Sequence, residues 1–242
     1  LPALGRAPDD VTVYRLDRRA LDFPPAEEAE PDGLVAIGGD LRPERLLRAY
    51  CEGIFPWFTD RGTPYWFSPD PRCVVDPREF RPSRSLARTL RSGRFTITFD
   101  REFDRVLAAC AKTPRPHEDG TWITEDFAAG YGALHRFGFA HSVEARRNGL
   151  LVGGLYGVAV GDVFCGESMF HHEPDASKAA FAALCSRLAG GGFTLVDCQS
   201  PTDHLKTLGA VEIPRTEYLR ILREGLLRPE GGGLRAGLWR DD

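Results

Sequence analysis

The order of strands and helices in the sequence predicts an α+β fold, because a group of three closely spaced strands precedes a helix, a strand and a helix. The three strands are joined by Asn148-Gly149 and Gly161-Asp162, dipeptides that are typical of two-residue hairpin turns. The chain has 242 residues and is 42% hydrophobic, which is enough for a substantial core. We expect strands at 141–147, 150–160 and 163–170, then a helix at 177–188, a strand at 193–198 and a helix at 216–227.

The first 75 residues predict a small N-terminal domain. Residues 1–32 are irregular and interrupted by prolines. A helix is expected to begin near Pro43, because apolar residues recur at helical spacing up to Ile54 and proline is favoured in a first helical turn. The aromatic, proline-rich segment 65–72 is expected to be a loop that leads to a domain boundary near residue 75.

Residues 76–242 predict a larger second domain. Ser83 is expected to cap a helix that ends near Leu90, and Thr124 a helix that ends near Phe137. The tail from Gly231 onward is expected to be flexible. The order of meander, helix, strand and helix is that of GNAT-type acyltransferases, so we predict a GNAT-like domain here. The further expected elements are a strand at 95–99, a helix from Phe103, a short helix at 201–208 and a strand at 211–213.

Composition and charge exclude several classes of protein. The net charge is −4, from 31 Lys plus Arg against 35 Asp plus Glu, so any contact with nucleic acid has to be local. No apolar run reaches the roughly 18 residues of a membrane span. Residues 1–10 lack the pattern of a signal peptide. The six cysteines form no C-x-x-C pair, which indicates reduced thiols in a cytoplasmic protein and no metal site.

The strand expected at 193–198 ends in a carboxylate and an amide. Because alternate residues on a strand share a face, Asp197 and Gln199 are expected on one side, with Val196 and Cys198 on the other. An unpaired carboxylate on such an apolar strand would be costly to bury. Asp197 is therefore a helix cap, a salt-bridged core carboxylate, or part of a functional pair in which it orients Gln199 or holds an amine.

Two further features suggest a binding pocket. Glu167 lies in a strand of small and apolar residues, close to Met169, the only methionine of the chain, whose soft side chain suits an apolar ligand. The alternative is ordinary core packing. Trp57 and Trp122 are expected in loops, where they could stack on a base or fill space between domains.

Five arginines between residues 81 and 94 recur at steps of 3, 4, 3 and 3, a spacing that would place them in one stripe on a helix, and no acidic residue occurs between Glu79 and Asp100. The stripe is either a solvated helix face or a local phosphate-binding surface. Its members are Arg81, Arg84, Arg88, Arg91 and Arg94.

Several long segments closely resemble the leucyl/phenylalanyl-tRNA–protein transferase family, over roughly residues 20 to 225. The resemblance implies a bacterial cytoplasmic enzyme of the N-degron pathway, with a small N-terminal domain and a GNAT-like domain. Such enzymes move Leu or Phe from aminoacyl-tRNA to proteins with N-terminal Arg or Lys, and need no cofactor. The segments are Gly38–Leu41, Gly53–Phe58, Trp66–Arg72, Gly120–Thr124, Phe164–Phe170, Ala176–Lys178 and Asp197–Gln199.

The same resemblance implies roles for individual residues. The polar active-site group comprises Glu167, Asp197 and Gln199. The residues that bind the aminoacyl-adenosine end of the tRNA comprise Trp57, Trp122 and Ser168, and the pocket for the Leu or Phe side chain comprises Phe164, Met169 and Val196. The positions that match a basic helix for the tRNA acceptor stem are Arg84, Arg88 and Arg91.

Two alternatives belong to other functional classes. A CoA-dependent N-acetyltransferase usually grips pyrophosphate with a glycine-rich turn, whereas the helix after Phe170 is entered through His-His-Glu-Pro-Asp-Ala-Ser, without glycine. A non-catalytic RNA-binding protein would explain the arginines and tryptophans, but not the acid and amide on an apolar strand.

Overall fold

In a computed structural model, residues 13–113, 123–228 and 238–239 are described. Within these ranges the chain forms seven α-helices and two β-sheets, which is the α+β class that the sequence predicts. The helices are α1 Pro43–Cys51, α2 Arg84–Arg91, α3 Phe103–Lys112, α4 Glu125–Arg136, α5 Ala176–Gly190, α6 Asp203–Thr207 and α7 Arg215–Leu227. The strands are β1 Tyr14–Leu16, β2 Leu34–Gly38, β3 Phe55–Asp60, β4 Thr63–Phe67, β5 Arg72–Val75, β6 Thr96–Phe99, β7 Ala140–Arg147, β8 Leu150–Val160, β9 Val163–His171, β10 Leu195–Gln199 and β11 Val211–Ile213.

The elements expected after residue 76 are confirmed to within two residues at each end. Ser83 caps α2 by accepting a hydrogen bond from the backbone N–H of Leu86. The turn between β7 and β8 has φ values of 51° at Asn148 and 77° at Gly149. Such left-handed backbone is what a two-residue hairpin of this type needs, and asparagine and glycine adopt it most readily.

The first 75 residues differ from the prediction, because they contain a four-stranded sheet in the order β1-β2-β4-β3. The segment 65–72, predicted to be a loop, begins within β4. Tyr65 stacks on Phe58 at 4.8 Å between ring centroids, while the adjacent Trp66 is fully buried. Because apolar side chains cover both faces of this strand, the alternation that normally reveals a strand is missing. Pro56 is tolerated because β3 is an edge strand.

Strand β5 links the first part of the chain to the larger sheet. It lies before the predicted boundary at residue 75, yet it pairs with β10 and β11. One hydrophobic cluster contains buried residues from both sides of that boundary, including Tyr50 and Tyr131. The division into domains at residue 75 stays a prediction.

The larger sheet creates an opening between two neighbouring strands. Its order is β11-β5-β10-β9-β8-β7-β6, and β9 and β10 run parallel. They pair only from Val163 to Cys165 and from Leu195 to Asp197, so their last residues are not paired with each other. Helix α5 packs against this sheet in one hydrophobic cluster, and α3 and α4 pack against it in a separate cluster.

Two β-bulges lie at the ends of these strands. In β9, Gly166 pairs with Gly157 and Ser168 pairs with Tyr156, so Glu167 is the extra residue. In β10, the register shifts between Asp197 and Gln199, and Gln199 has a left-handed φ of 63°. A bulge reverses the side-chain alternation beyond it and turns the next side chain toward a new direction. The predicted common face of Asp197 and Gln199 is therefore wrong.

Part of the C-terminal tail packs into the core, contrary to the predicted flexibility. Trp239 is buried and stacks on His141 at 3.9 Å between ring centroids, and it lies 5.6 Å from the ring of Phe164. The glycines at 231–233 fall outside the described residues. Among the helices that the structure describes, none has the length and apolar character to cross a membrane.

Close packing in β8 yields a test of this arrangement. A Cβ added at Gly157 would lie 2.5 Å from Cε1 of Phe164 and 2.3 Å from the carbonyl oxygen of Cys165. We expect Gly157→Ala to lower the free energy of unfolding by about 1–3 kcal/mol in urea denaturation. Gly190→Ala is the control, since no atom lies within 4 Å of the added Cβ there. Equal urea midpoints for the two variants would contradict this packing.

Candidate active site

A cavity of about 330 Å³ opens where β9 and β10 separate. Apolar side chains form most of its wall, and polar side chains are grouped along the ends of the two strands. The apolar lining includes Trp57, Leu155, Phe164, Met169, Phe181, Leu184 and Val196, and the polar lining includes Glu167, Ser168, Gln199, Ser200, Thr202 and His204.

The residues predicted to form the side-chain pocket come together in the apolar part of this cavity. Phe164 and Val196 are buried, and Met169 is half-buried. The Met169 sulfur lies 3.3 Å from Nε2 of the exposed His204, which also lines the cavity. The half-buried Ser168 lies beside them on β9.

Of the two tryptophans predicted to bind the aminoacyl-adenosine, the structure describes only Trp57. Trp57 lines the cavity and is 39% exposed, but it belongs to β3 rather than to a loop. Its ring meets that of Phe67 edge-on at 5.0 Å, which leaves part of the indole open to the cavity. Trp122 lies outside the described residues.

Glu167 lies at the centre of a hydrogen-bond network on the polar side of the cavity. Its Oε1 accepts a hydrogen bond from Nε2 of Gln199 at 2.9 Å, and its Oε2 accepts one from the hydroxyl of Tyr131 at 2.7 Å. The Tyr131 hydroxyl is in turn 2.6 Å from that of Tyr50. Burial raises the pKa of Glu167 to about 7, although the hydrogen bond from Tyr131 and the nearby hydroxyl of Tyr50 act to lower it. The carboxyl group therefore titrates near neutral pH.

Asp197 lies beneath the cavity rather than in its wall, and it is fully buried. Its Oδ1 accepts hydrogen bonds from Nε of Arg72 and from the backbone N–H of Gln199, both at 2.8 Å. Its Oδ2 accepts from Nη2 of Arg72 at 2.7 Å and from the hydroxyl of Tyr218 at 3.0 Å. A carboxylate accepts about four hydrogen bonds, so these partners use its capacity.

This geometry distinguishes between the three roles that the sequence allows for Asp197. The carboxylate is salt-bridged in the core, and it also orients the backbone of Gln199. It has no capacity left to hold a substrate amine. Burial acts to lower the pKa of Arg72, but the adjacent Asp197 carboxylate raises it above its ordinary value, so the guanidinium stays protonated.

The partners of these residues are not evident from the amino-acid sequence. Arg72 ends one of the segments that carry the family resemblance, but no local pattern pairs it with a residue 125 positions later. Tyr50 and Tyr131 are typical apolar-face residues of helices, and only the fold brings their hydroxyls together. Tyr218 lies on the buried face of α7.

The predicted arginine stripe follows the surface of α2 and its flanks. Arg84, Arg88 and Arg91 are exposed, and they have no ion-pair partner among the described residues. Arg94, in contrast, is paired with Glu173 at 2.8 Å, and Arg81 lies 4.0 Å from Glu79. The middle of the stripe is therefore the part that can bind an anion.

All six cysteines lie in the described ranges and are free thiols. Within those ranges, no group of three His, Cys, Asp or Glu side chains is arranged to hold a metal ion.

Comparison with known proteins places the chain in a family. A family model described as "Leucyl/phenylalanyl-tRNA protein transferase" matches residues 74–223, and a model of the N-terminal domain of the same family matches residues 39–70. The chain belongs to this family. A leucyl/phenylalanyl-tRNA–protein transferase of Syntrophotalea carbinolica is 54% identical over 86% of this chain and 91% of the relative. One of Dechloromonas aromatica is 56% identical over 81% and 85%.

A solved structure titled as that of L-PGS from Bacillus licheniformis has a TM-score of 0.38 with this chain, at 12% identity over 66% of this chain and 65% of that one.

Membership of the leucyl/phenylalanyl-tRNA–protein transferase family makes this chain an aminoacyltransferase that uses aminoacyl-tRNA and a protein as substrates. The two alternatives from the sequence, a CoA-dependent acetyltransferase and a non-catalytic RNA-binding protein, are thereby set aside. The cavity with Glu167 and Gln199 in its wall is the candidate active site of this transferase.

The buried ion pair predicts a large effect on stability. Removing the carboxylate in Asp197→Ala would leave the Arg72 guanidinium buried and unpaired, so we expect the free energy of unfolding to fall by about 3–5 kcal/mol. Asp76→Ala removes the partly exposed pair with Arg78 and is expected to cost about 0–1 kcal/mol. Urea denaturation at pH 7 measures both values, and similar losses would show that the buried pair contributes no special stabilisation.

Proposed function

We propose that the protein transfers Leu or Phe from aminoacyl-tRNA to the N-terminal Arg or Lys of proteins, and so marks them for degradation in the N-degron pathway. The observation that carries the proposal is one cavity with an apolar wall and the paired side chains of Glu167 and Gln199 at its polar edge. The apolar wall suits the donated side chain, and the polar edge suits the reacting ester and amine.

The donor side chain is proposed to lie among Phe164, Met169 and Val196. A polar or charged donor would lose its hydration there without gaining partners, so it is excluded. Ser168 and Trp57 border the same space, and the exposed face of Trp57 is proposed to stack on the terminal adenine. The matching role of Trp122 rests on the family resemblance.

The reaction needs positioning more than activation. The tRNA ester is already activated, so the proposal includes no ATP, metal or other cofactor. An α-amine with a pKa of about 7.7–8 is partly neutral at pH 7 and can attack directly. The role of the enzyme is then to hold the amine and ester in line.

Gln199 is proposed to bind the attacking amine. Its Nε2 donates to Glu167, which leaves its amide oxygen as the acceptor for an N–H of the substrate. Asp197 is proposed as a positioning residue, because it holds the backbone of Gln199 from beneath the cavity.

The tRNA acceptor stem is proposed to contact the exposed Arg84, Arg88 and Arg91 of α2. A local basic face can bind phosphates although the whole chain carries a net charge of −4.

Three finer features belong to the same proposal. The domain after residue 75 is GNAT-like, supported by the order of meander, helix, strand and helix. The first 75 residues form the small N-terminal domain of the family. The enzyme acts in the bacterial cytoplasm, where free thiols such as its six cysteines stay reduced.

Transfer of labelled Leu from Leu-tRNA to a peptide with N-terminal Arg tests this function directly. We expect transfer by the wild type, none to the same peptide with an acetylated N-terminus, and a large loss of rate in Gln199→Ala. Acetyl-CoA should not serve as a donor. Transfer to the blocked peptide, or none to the free one, would contradict the proposal.

The donor pocket predicts how substrate preference changes. Met169→Ala creates a cavity, and the smaller Leu side chain leaves more of it unfilled than Phe does. We therefore expect kcat/KM to fall more for Leu-tRNA than for Phe-tRNA. Cys185→Ala also shortens a buried side chain of the same core cluster but lies outside the cavity lining, so it serves as the control. An unchanged Leu-to-Phe ratio in Met169→Ala would place Met169 outside the donor pocket.

The basic face predicts a salt effect. Replacing Arg84 and Arg88 together with Gln should weaken tRNA binding and reduce the slope of log K against log salt by about 1.5–2. Reaction with a minimal aminoacyl-adenosine donor should stay nearly unchanged. The matched control replaces Arg220 and Arg223 on α7 with Gln, and should leave the slope unaltered. A slope that changes equally in both double variants would show that α2 has no special role.

A further inference from the structure

We propose that Glu167 accepts the proton of the attacking amine, and that Tyr131, supported by Tyr50, is the positioning residue that prepares it for this step. The proposal rests on the proposed function of the same cavity. Both tyrosines are buried, and only the fold brings their hydroxyls together.

The three groups form a directed chain of hydrogen bonds that runs from the cavity into the core. The ionised carboxylate of Glu167 can only accept, so the hydroxyl of Tyr131 donates to its Oε2. The single proton of Tyr131 is then in use, and the 2.6 Å contact between the two hydroxyls requires that Tyr50 donates to the Tyr131 oxygen. The second bond strengthens the first, because it makes the Tyr131 hydroxyl a better donor.

Packing prevents the tyrosines from turning away. The Tyr131 ring meets the Tyr156 ring edge-on at 5.4 Å and lies nearly parallel to the Phe127 ring at 6.1 Å. Helix α4, which carries Tyr131, approaches the chain just before α1 so closely that a Cβ at Gly130 would lie 2.4 Å from the carbonyl oxygen of Leu41. Both tyrosines are fully buried, so water does not compete for their hydroxyls.

Glu167 is the only carboxylate among the described residues that line the cavity. Each of its oxygens accepts one hydrogen bond from the protein, and each keeps one further acceptor position. The residue is half-buried and faces the cavity, whereas Asp197 is fully buried with four hydrogen-bond donors. Proton acceptance from a substrate is therefore open to Glu167 and closed to Asp197.

The groups around Glu167 bring its pKa close to that of the attacking α-amine. Burial raises its pKa to about 7, and the negative charge of Asp197 adds to this rise. The hydrogen bond from Tyr131, the nearby hydroxyl of Tyr50 and the positive charge of Arg72 act in the opposite direction. A base is most effective when its pKa lies near the working pH, and the amine it serves has a pKa of about 7.7–8.

The step balances in atoms and charge. The amine nitrogen forms a bond to the ester carbonyl carbon, and the bond from that carbon to the ribose oxygen breaks. One proton leaves the nitrogen for a Glu167 oxygen. Glu167 then gives this proton to the departing ribose oxygen, which becomes a hydroxyl, and the Glu167 carboxylate is ionised again.

The test is the pH dependence of kcat/KM between pH 5.5 and 9, with the uncatalysed ester hydrolysis subtracted. Tyr131→Phe removes a hydrogen bond to the ionised carboxylate, so the pKa of Glu167 rises and the acidic limb should move upward by about one pH unit. Tyr50→Phe should move it in the same direction by less. Because the amine titrates identically for every variant, the differences between profiles report on the enzyme alone.

Two matched variants complete the experiment. Tyr65→Phe makes the same chemical change on β4, outside the cavity lining, and should leave the profile as in the wild type. Glu167→Gln should lose most of the rate, and the remaining pH dependence of kcat/KM should reflect only the titration of the substrate amine. A wild-type profile in Tyr131→Phe, or a wild-type rate in Glu167→Gln, would overturn the proposal.

A direct titration supports the test without activity. In protein labelled with 13C at the side-chain carboxyl of glutamate, the resonance that is missing from Glu167→Gln should titrate near pH 7 in the wild type and higher in Tyr131→Phe. Titration of this resonance below about pH 5.5 in the wild type would overturn the inference even if Tyr131→Phe failed to fold. Absence of transfer by the wild type would instead contradict the proposed function.

Discussion

The ion pair between Arg72 and Asp197 is the interaction on which the rest of the site depends. Arg72 on β5 binds both oxygens of Asp197 on β10, and it also donates to the carbonyl oxygen of Gly53 at 3.2 Å. Its guanidinium lies over the ring of Tyr218 on α7, 4.4 Å from the ring centroid. One buried cation thus joins the N-terminal part, the larger sheet and the last helix. Burying such charges is tolerable only because their hydrogen-bonding capacity is almost fully used.

The ion pair is linked to the candidate active site through the backbone of β10. Asp197 accepts the N–H of Gln199 at the point where the strand bulges and φ becomes positive. That bond compensates for an unfavourable backbone conformation, because a left-handed residue other than glycine persists only where its surroundings hold it. The second bulge exposes Glu167 in the same way on β9. The two polar side chains meet because both strands break their alternation where they separate.

Local sequence predicted the elements after residue 76 well, because their signals are local. Turn residues such as Asn148 and Gly149, and helix caps such as Ser83, act within a few positions of themselves. The first sheet was missed because Tyr65 and Trp66 pack on opposite faces of one strand and leave no alternation. The common face predicted for Asp197 and Gln199 failed for a related reason, since a bulge depends on the neighbouring strand rather than on the residue that it displaces.

The sequence by itself determined which residue types are available and where the elements after residue 76 lie: an apolar strand ending in an acid and an amide, an acid in a second strand, and a basic helix. Its long motifs also indicated the family. Only the tertiary structure decided that the oxygens of Asp197 accept hydrogen bonds from Arg72. It also decided that Glu167 faces the cavity with Tyr131 and Tyr50 behind it. The physical reason is that hydrogen bonds and burial depend on distance in space. Arg72 and Asp197 are 125 positions apart, so no local sequence pattern indicates that they are in contact.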